Sequence, residues 1–261
     1  MSLAVIDHLG QPVVHLTLAR PNARNALSAR MCNDIVDALN EVDANEAARV
    51  VLLRGEGRVF CAGADMAAVT GPGALDFLPA FEQMLEAVAR FRLPVVAEIQ
   101  GAALGGGLQL ATVCDFRVAG ESTKIGIPAA RLGIVVNFEN IQRLVLLAGP
   151  ATAKEVMLTG RIFLAPEAER KGLVHRAVPD DELEPSAREL AASIALAAPL
   201  SVQGAKKAIQ VVLDDIAPGR KRSPKEVADI DALVTQAYNS EDLVEGLNAF
   251  SEKRTPDFKG R

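Results

Sequence analysis

The sequence has no tryptophan, a single tyrosine, and only 4% aromatic residues among its 261 positions. Flat side-chain surfaces on which nucleobases or sugars stack are therefore scarce. Cysteine is scarce as well: Cys32, Cys61 and Cys114 are odd in number and widely spaced, with no C-x-x-C pair and no histidine at zinc-ligand spacing. A disulfide framework and a cysteine-based metal site are excluded, and a reducing cytoplasm is the expected location. Positive charge is not in surplus, since 28 Lys and Arg against 33 Asp and Glu leave a formal net charge of −5. A general nucleic-acid binder needs a basic face to neutralise phosphates and is excluded; an anionic small ligand held by a few local cations is not. No apolar stretch approaches the roughly 20 residues of a membrane span. The start, MSLAVIDHLGQPVV, lacks a basic segment and a long apolar run, so no signal or transit peptide is expected.

What is present is the balance of an ordinary soluble protein with a sizeable core, 49% hydrophobic and 23% charged. Residues 12–18 (PVVHLTL) alternate, with Val14, Leu16 and Leu18 on one face, and predict a half-buried strand. Met31, Ile35, Leu39 and Val42 fall at helical spacing. Short apolar strands are expected at 49–53, 94–99 and 116–118, with another at 172–174 and a helix over 74–91. Strand, loop, helix and strand in this order indicate an α/β layer structure. Beyond about residue 180 the strands stop, and helices are expected at 181–197, 200–215, 224–238 and 241–253. The chain divides into an α/β body, 1–195, and a helical tail, 196–261. The tail carries Leu233, Val234, Ala237, Leu243, Val244, Leu247 and Phe250, more apolar positions than two short helices bury alone. They pack either on the body or on another subunit.

Two glycine-rich loops carry the chemical information. In the first, Phe60-Cys61-Ala62-Gly63-Ala64-Asp65 follows a buried strand; in the second, Leu104 and three glycines at 105–107 open a helix. A helix N-terminus leaves backbone N–H groups unpaired and favours negative charge. Two such turns can aim two N–H donors at one carbonyl oxygen and stabilise an enolate or tetrahedral oxyanion, each donor contributing about 3–4 kcal/mol. Alone, the glycine run reads as a tight turn, and the spacing is not that of a dinucleotide fingerprint.

RPNARNALS, VFCAGADM, PVVAEIQGAALGGGLQLATVCDFRVA, the stretch from Gln142-Arg143-Leu144 to MLTGR, and Phe258-Lys259 together resemble the crotonase superfamily, the enoyl-CoA hydratase/isomerase family. The resemblance runs from about Pro12 to Lys259 and implies a spiral of ββα units with a C-terminal helical trimerisation region. The implied assembly is a homotrimer or a dimer of trimers. It further implies an acyl-CoA thioester as substrate, with coenzyme A as part of that substrate and no separate cofactor or metal, and a place in fatty-acid metabolism. The thioester oxygen would sit between the backbone N–H groups of Ala64 and Gly106. Ala23, Arg24, Ala26, Ala62, Asp65 and Met66 would line the pantetheine and adenine contacts. Arg24 and Arg58 match positions near CoA phosphates, and Lys259 resembles a tail lysine that reaches the CoA of a neighbouring subunit. Each cation, taken singly, reads equally as a solvated surface charge.

Hydratases of this family use two glutamates to activate water. Their positions correspond here to Gln109, three residues after Gly106, and to Ala129 after Pro128. Gln109 forms hydrogen bonds but exchanges no proton at neutral pH, and Ala129 does neither. Each positioned acid or base contributes about 10²–10⁴-fold, so efficient standard hydration is not expected. Glu139 is the candidate replacement base; its alternative role is a first-turn acid of the helix expected near Ile141, capped by Asn137 or Asn140. His8, His15 and His175 read as structural or surface histidines. Two functions follow: an enzyme acting on a CoA thioester without the hydratase glutamate pair, or a non-catalytic acyl-CoA carrier or sensor.

Overall fold

The computed structural model describes residues 2–66, 74–132, 134–216, 225, 228, 229, 232, 236, 239–254 and 256–261. Among these, a six-stranded sheet runs in the order β1 (Ala4–Asp7), β2 (Val13–Leu18), β3 (Val50–Gly55), β4 (Val95–Ile99), β6 (Phe116–Gly120), β9 (Arg176–Val178). Only the β1–β2 pairing is antiparallel. A smaller sheet joins β5 (Ala102–Leu104), β7 (Lys124–Gly126) and β8 (Ile162–Leu164). The chain is a mixed α/β protein, as its order of elements suggests.

Parallel strands need covered faces, and residue alternation supplies them. Val14, Leu16, Val51, Leu53, Val95 and Ala97 face the main core. That core is shared with α1 (Ala29–Asp43), α2 (Ala74–Arg90) and α3 (Gly106–Val113). Val50, Leu52, Val96 and Val118 face the other way, under Leu183, Ala187 and Ala191 of α6 (Leu183–Ala195). This second cover corrects the half-buried reading of β2: His15 is 5% exposed and Thr17 is buried with it. Burial, then the cations Arg188 and Arg54 and the nearby His8, push the His15 imidazole down to about 4.

Local signals place the helices. Ser28 caps α1, its Oγ accepting from Met31 N at 3.3 Å, and Met31, Cys32, Ile35, Ala38, Leu39 and Val42 form the buried stripe. The helix α4 (Phe138–Thr159) starts earlier than the expected Ile141, because Asn137 is its cap and accepts from Asn140 N at 3.2 Å; it breaks at Gly149-Pro150. Between β8 and β9 lies the short α5 (Ala165–Arg170). The strand expected at 172–174 is corrected too. Those residues close the turn after α5, with Gly172 N donating to Glu169 O and Leu173 N to Ala168 O, both at 2.9 Å, and the strand begins at Arg176.

In the tail, α7 (Pro199–Ile216) and α8 (Glu241–Glu252) match expected helices. The 224–238 stretch, with Leu233, Val234 and Ala237, lies mostly outside the described residues, as do the side chains of Leu243, Leu247 and Phe250. Lys206 pins α7 to the body, donating to Asp115 Oδ2 at 2.7 Å and to Leu93 O at 2.9 Å. No helix among the described residues is long and apolar enough to cross a membrane.

Candidate active site

The first loop leaves β3 and runs beside β5, with Cys61 N donating to Ala102 O at 3.0 Å and Leu104 N to Cys61 O at 3.1 Å. On its other side it meets the turn before α1. Ala62 N donates to Arg24 O at 3.0 Å, Leu27 N to Gly63 O at 2.8 Å, and Asp65 N to Leu27 O at 2.7 Å. These bonds pass over Ala64, whose N–H is spent on neither neighbour.

The second loop turns β5 into α3 through Gly105, at φ +52° and ψ −118°, a conformation that a side chain would strain. Gly106 is the first residue of α3, so no carbonyl one turn back accepts its N–H. A Cβ placed on Gly106 would stand 3.4 Å from Ala64 N and 3.3 Å from Phe81 Cε2. The two loops therefore meet where Ala64 and Gly106 present their main chains. Phe81, stacked on Phe77 at 5.4 Å between centroids, walls the meeting point. Gly107 explains how the loops come so close, because a Cβ there would overlap the Cys61 carbonyl oxygen. The Cys61 thiol is fully buried and pushed up to about 12, which removes it as a nucleophile at neutral pH.

The turn that carries Ala23, Arg24 and Ala26 is fixed by a residue the sequence did not single out. Asn25 is buried in the left-handed region at φ +54°, accepting from Arg20 N at 2.9 Å. Its amide donates to Glu56 O at 3.0 Å and to Val59 O at 2.7 Å. It thereby ties the Arg24 turn to the loop bearing Arg58, and both of those arginines are exposed. Arg20 adds a 2.7 Å ion pair with Asp65. Met66 is half exposed. Lys259 lies with the tail: its N donates to Asp242 Oδ1 and its Nζ pairs with Asp257, both at 2.6 Å.

Gln109 is half-buried one turn into α3, and Ala129 is buried in the turn after β7, its carbonyl accepting from Leu132 N and Ile134 N. Glu139 stands exposed in the first turn of α4. It lines a cavity of about 890 Å³ with Arg143, Leu146, Leu147, Arg117 and Lys206, and neither Ala64, Gly106, Gln109 nor Ala129 lines that cavity. Arg117, nearly fully buried there, donates to the carbonyls of Ala111 and Cys114 at the end of α3. Burial pulls its guanidinium down to about 10. Glu139 is an acid in the first turn of α4, where the helix dipole favours negative charge.

The main chains of Ala64 and Gly106 thus come together beside the Phe81 ring, at the end of the parallel sheet's first loop. The sequence matches the enoyl-CoA hydratase/isomerase family model over residues 9–261. It is 37% identical over 257 residues to a probable enoyl-CoA hydratase, echA8, of Mycobacterium leprae, with 96% of each chain covered. An enoyl-CoA hydratase/carnithine racemase from Magnetospirillum magneticum superposes with a TM-score of 0.89 at 32% identity, covering 100% of this chain and 97% of that one. The enoyl-CoA hydratase of Bacillus anthracis gives 0.88 at 35% identity, covering 99% and 100%. The chain belongs to the enoyl-CoA hydratase/isomerase family.

Proposed function

We propose that this protein binds an acyl-CoA thioester and acts on it through an enolate-type intermediate held by the N–H groups of Ala64 and Gly106. The carrying observation is the convergence of those two residues, with a Cβ on Gly106 only 3.4 Å from Ala64 N. Negative charge that develops on the thioester oxygen would meet two fixed donors beside an apolar wall, which strengthens each bond. Ala23, Ala26, Ala62 and Asp65 border the same turn and suit the pantetheine arm. Arg24 and Arg58, exposed on tied loops, suit the CoA phosphates. Lys259 would serve a neighbouring subunit in a trimer or a dimer of trimers. Gln109 and Ala129 at the hydratase positions leave water without its usual acid and base, so the chemistry expected is isomerisation, decarboxylation, thioester hydrolysis or slow hydration.

The same two residues favour a second reading, a non-catalytic acyl-CoA carrier or sensor. Assays of crotonyl-CoA hydration, double-bond isomerisation and thioester hydrolysis, run beside acyl-CoA binding, separate the two. Micromolar binding with no turnover in any assay sinks the enzyme reading for those substrates. Gly106→Pro removes one donor while keeping a residue accepted at the first position of a helix. It should weaken acyl-CoA binding and any turnover, and an unaffected variant overturns the oxyanion site. Gln109→Glu with Ala129→Glu should create or raise hydratase activity; a folded, binding double variant that gains nothing overturns the placement of those positions.

A further inference from the structure

Residue 82 follows Phe81 on α2, and its carboxylate is the meeting point of three side chains from the entry to α4. Glu82 Oε1 accepts from Asn137 Nδ2 at 2.9 Å and from Asn140 Nδ2 at 2.7 Å. Its other oxygen faces Arg143 Nη1 at 3.5 Å, and that same nitrogen donates to Asn140 Oδ1 at 2.8 Å. Arg143 Nη2 closes the network on Glu86 at 3.1 Å, one turn further along α2. Asn137 works at both ends, its oxygen capping α4 and its amide reaching Glu82.

The segment that this carboxylate holds has little apolar anchorage of its own. Residues 134–137 form no regular structure, and Val136 packs on the core while Ile134, Val135 and Phe138 are 42%, 91% and 63% exposed. A backbone bond from Ile134 N to Ala129 O fixes its start, at the substituted hydratase position. The segment thus leaves the site at Ala129 and is fastened again to the helix that carries Phe81, which stands at Gly106. Few apolar contacts mean that local opening is governed by these polar ties.

We propose that Glu82 is a positioning residue of the acyl site: it docks residues 134–140 against α2 beside Phe81 and thereby sets which acyl groups fit. The docking stands on the observed contacts, and its consequence for acyl groups rests on the acyl-CoA reading above. Glu82→Ala removes the acceptor from both amides, whereas Glu82→Gln keeps one oxygen for them and gives up the charge and the acceptor that face Arg143.

The test has two arms on the full chain. Hydrogen exchange in the free protein should speed up about tenfold over 134–140 in Glu82→Ala and stay within about twofold of the parent in Glu82→Gln. Relative affinity for octanoyl-CoA over butanoyl-CoA should shift about fivefold or more in Glu82→Ala, with the affinity for free CoA unchanged. Should Glu82→Ala fail to fold, Asn137→Ser keeps a capping oxygen, drops one amide from Glu82, and should move both readouts in the same direction. Unchanged exchange in the folded variant overturns the docking. Faster exchange with unchanged acyl preference overturns the role in selection. A parent protein that binds no acyl-CoA defeats the acyl-CoA reading instead, and the exchange arm still decides the docking.

Discussion

At Gly107 there is no room for a side chain: besides the overlap with the Cys61 carbonyl oxygen, a Cβ would lie 2.9 Å from Cys61 Cβ. Gly107→Ala must push α3 away from the first loop, and overpacking of this kind costs about 1–3 kcal/mol. The expected outcome is a lower urea midpoint together with weaker acyl-CoA binding, because the displaced helix carries Gly106 with it. An unchanged midpoint would contradict the close approach. Asn25 shows the limit of reading single residues. Its side chain spans from Arg20 N to the carbonyls of Glu56 and Val59, about 30 positions away, and no local pattern announces a partner at that distance. Glu82 was hidden for the same reason, its partners lying 55, 58 and 61 positions along the chain.

Elements were more legible than side-chain partners, because periodicity acts within a few residues. The α1 stripe and the strands at 50–55 and 95–99 follow directly from apolar spacing. Where structure and periodicity differ, the cause is physical. His15 and Thr17 are polar residues on a strand covered from both sides, so alternation suggested a wet face that α6 in fact occupies. Leu173 and Val174 are apolar because they pack into the core, yet they do so from a turn. Among the described residues, two cations dock α7 on the body, Arg90 through Asp214 Oδ2 at 3.1 Å and Lys206 through Asp115. Asp115 Oδ2 accepts both from Lys206 at 2.7 Å and from Val95 N at 2.7 Å, so the pair links α7 to the start of β4. Lys206→Met keeps the aliphatic stem and loses these bonds. It should cost about 1.5–3 kcal/mol, with early proteolysis confined to α7; cleavage spread evenly over the chain would contradict this role.

For the molecule as a whole, acid is the sensitive direction. His15 is held down to about 4, chiefly by burial, with Arg188 its foremost charged neighbour; His175, exposed beside Arg117, is lowered in the same sense. The folded chain then binds fewer protons than the unfolded one between the ordinary 6.5 and about 4, so stability is complete above pH 6.5 and is lost as pH falls through that window. The buried His15 alone accounts for about 3 kcal/mol of that loss. Glu98, whose carboxyl burial raises, acts in the opposite sense by taking up a proton more readily when folded. Denaturant titrations at pH 7.5 and pH 5 should show the drop, and His15→Gln should flatten it; an unaltered slope would sink this assignment. The meeting of Ala64 and Gly106 also governs how a mutational map of this protein would read. An alanine scan leaves Ala64 as it is, and at Gly106 it adds a methyl without deleting the amide. The acyl site proposed above, written in peptide bonds, would be silent to side-chain truncation, and replacing single amides by esters is the alteration that would make it visible.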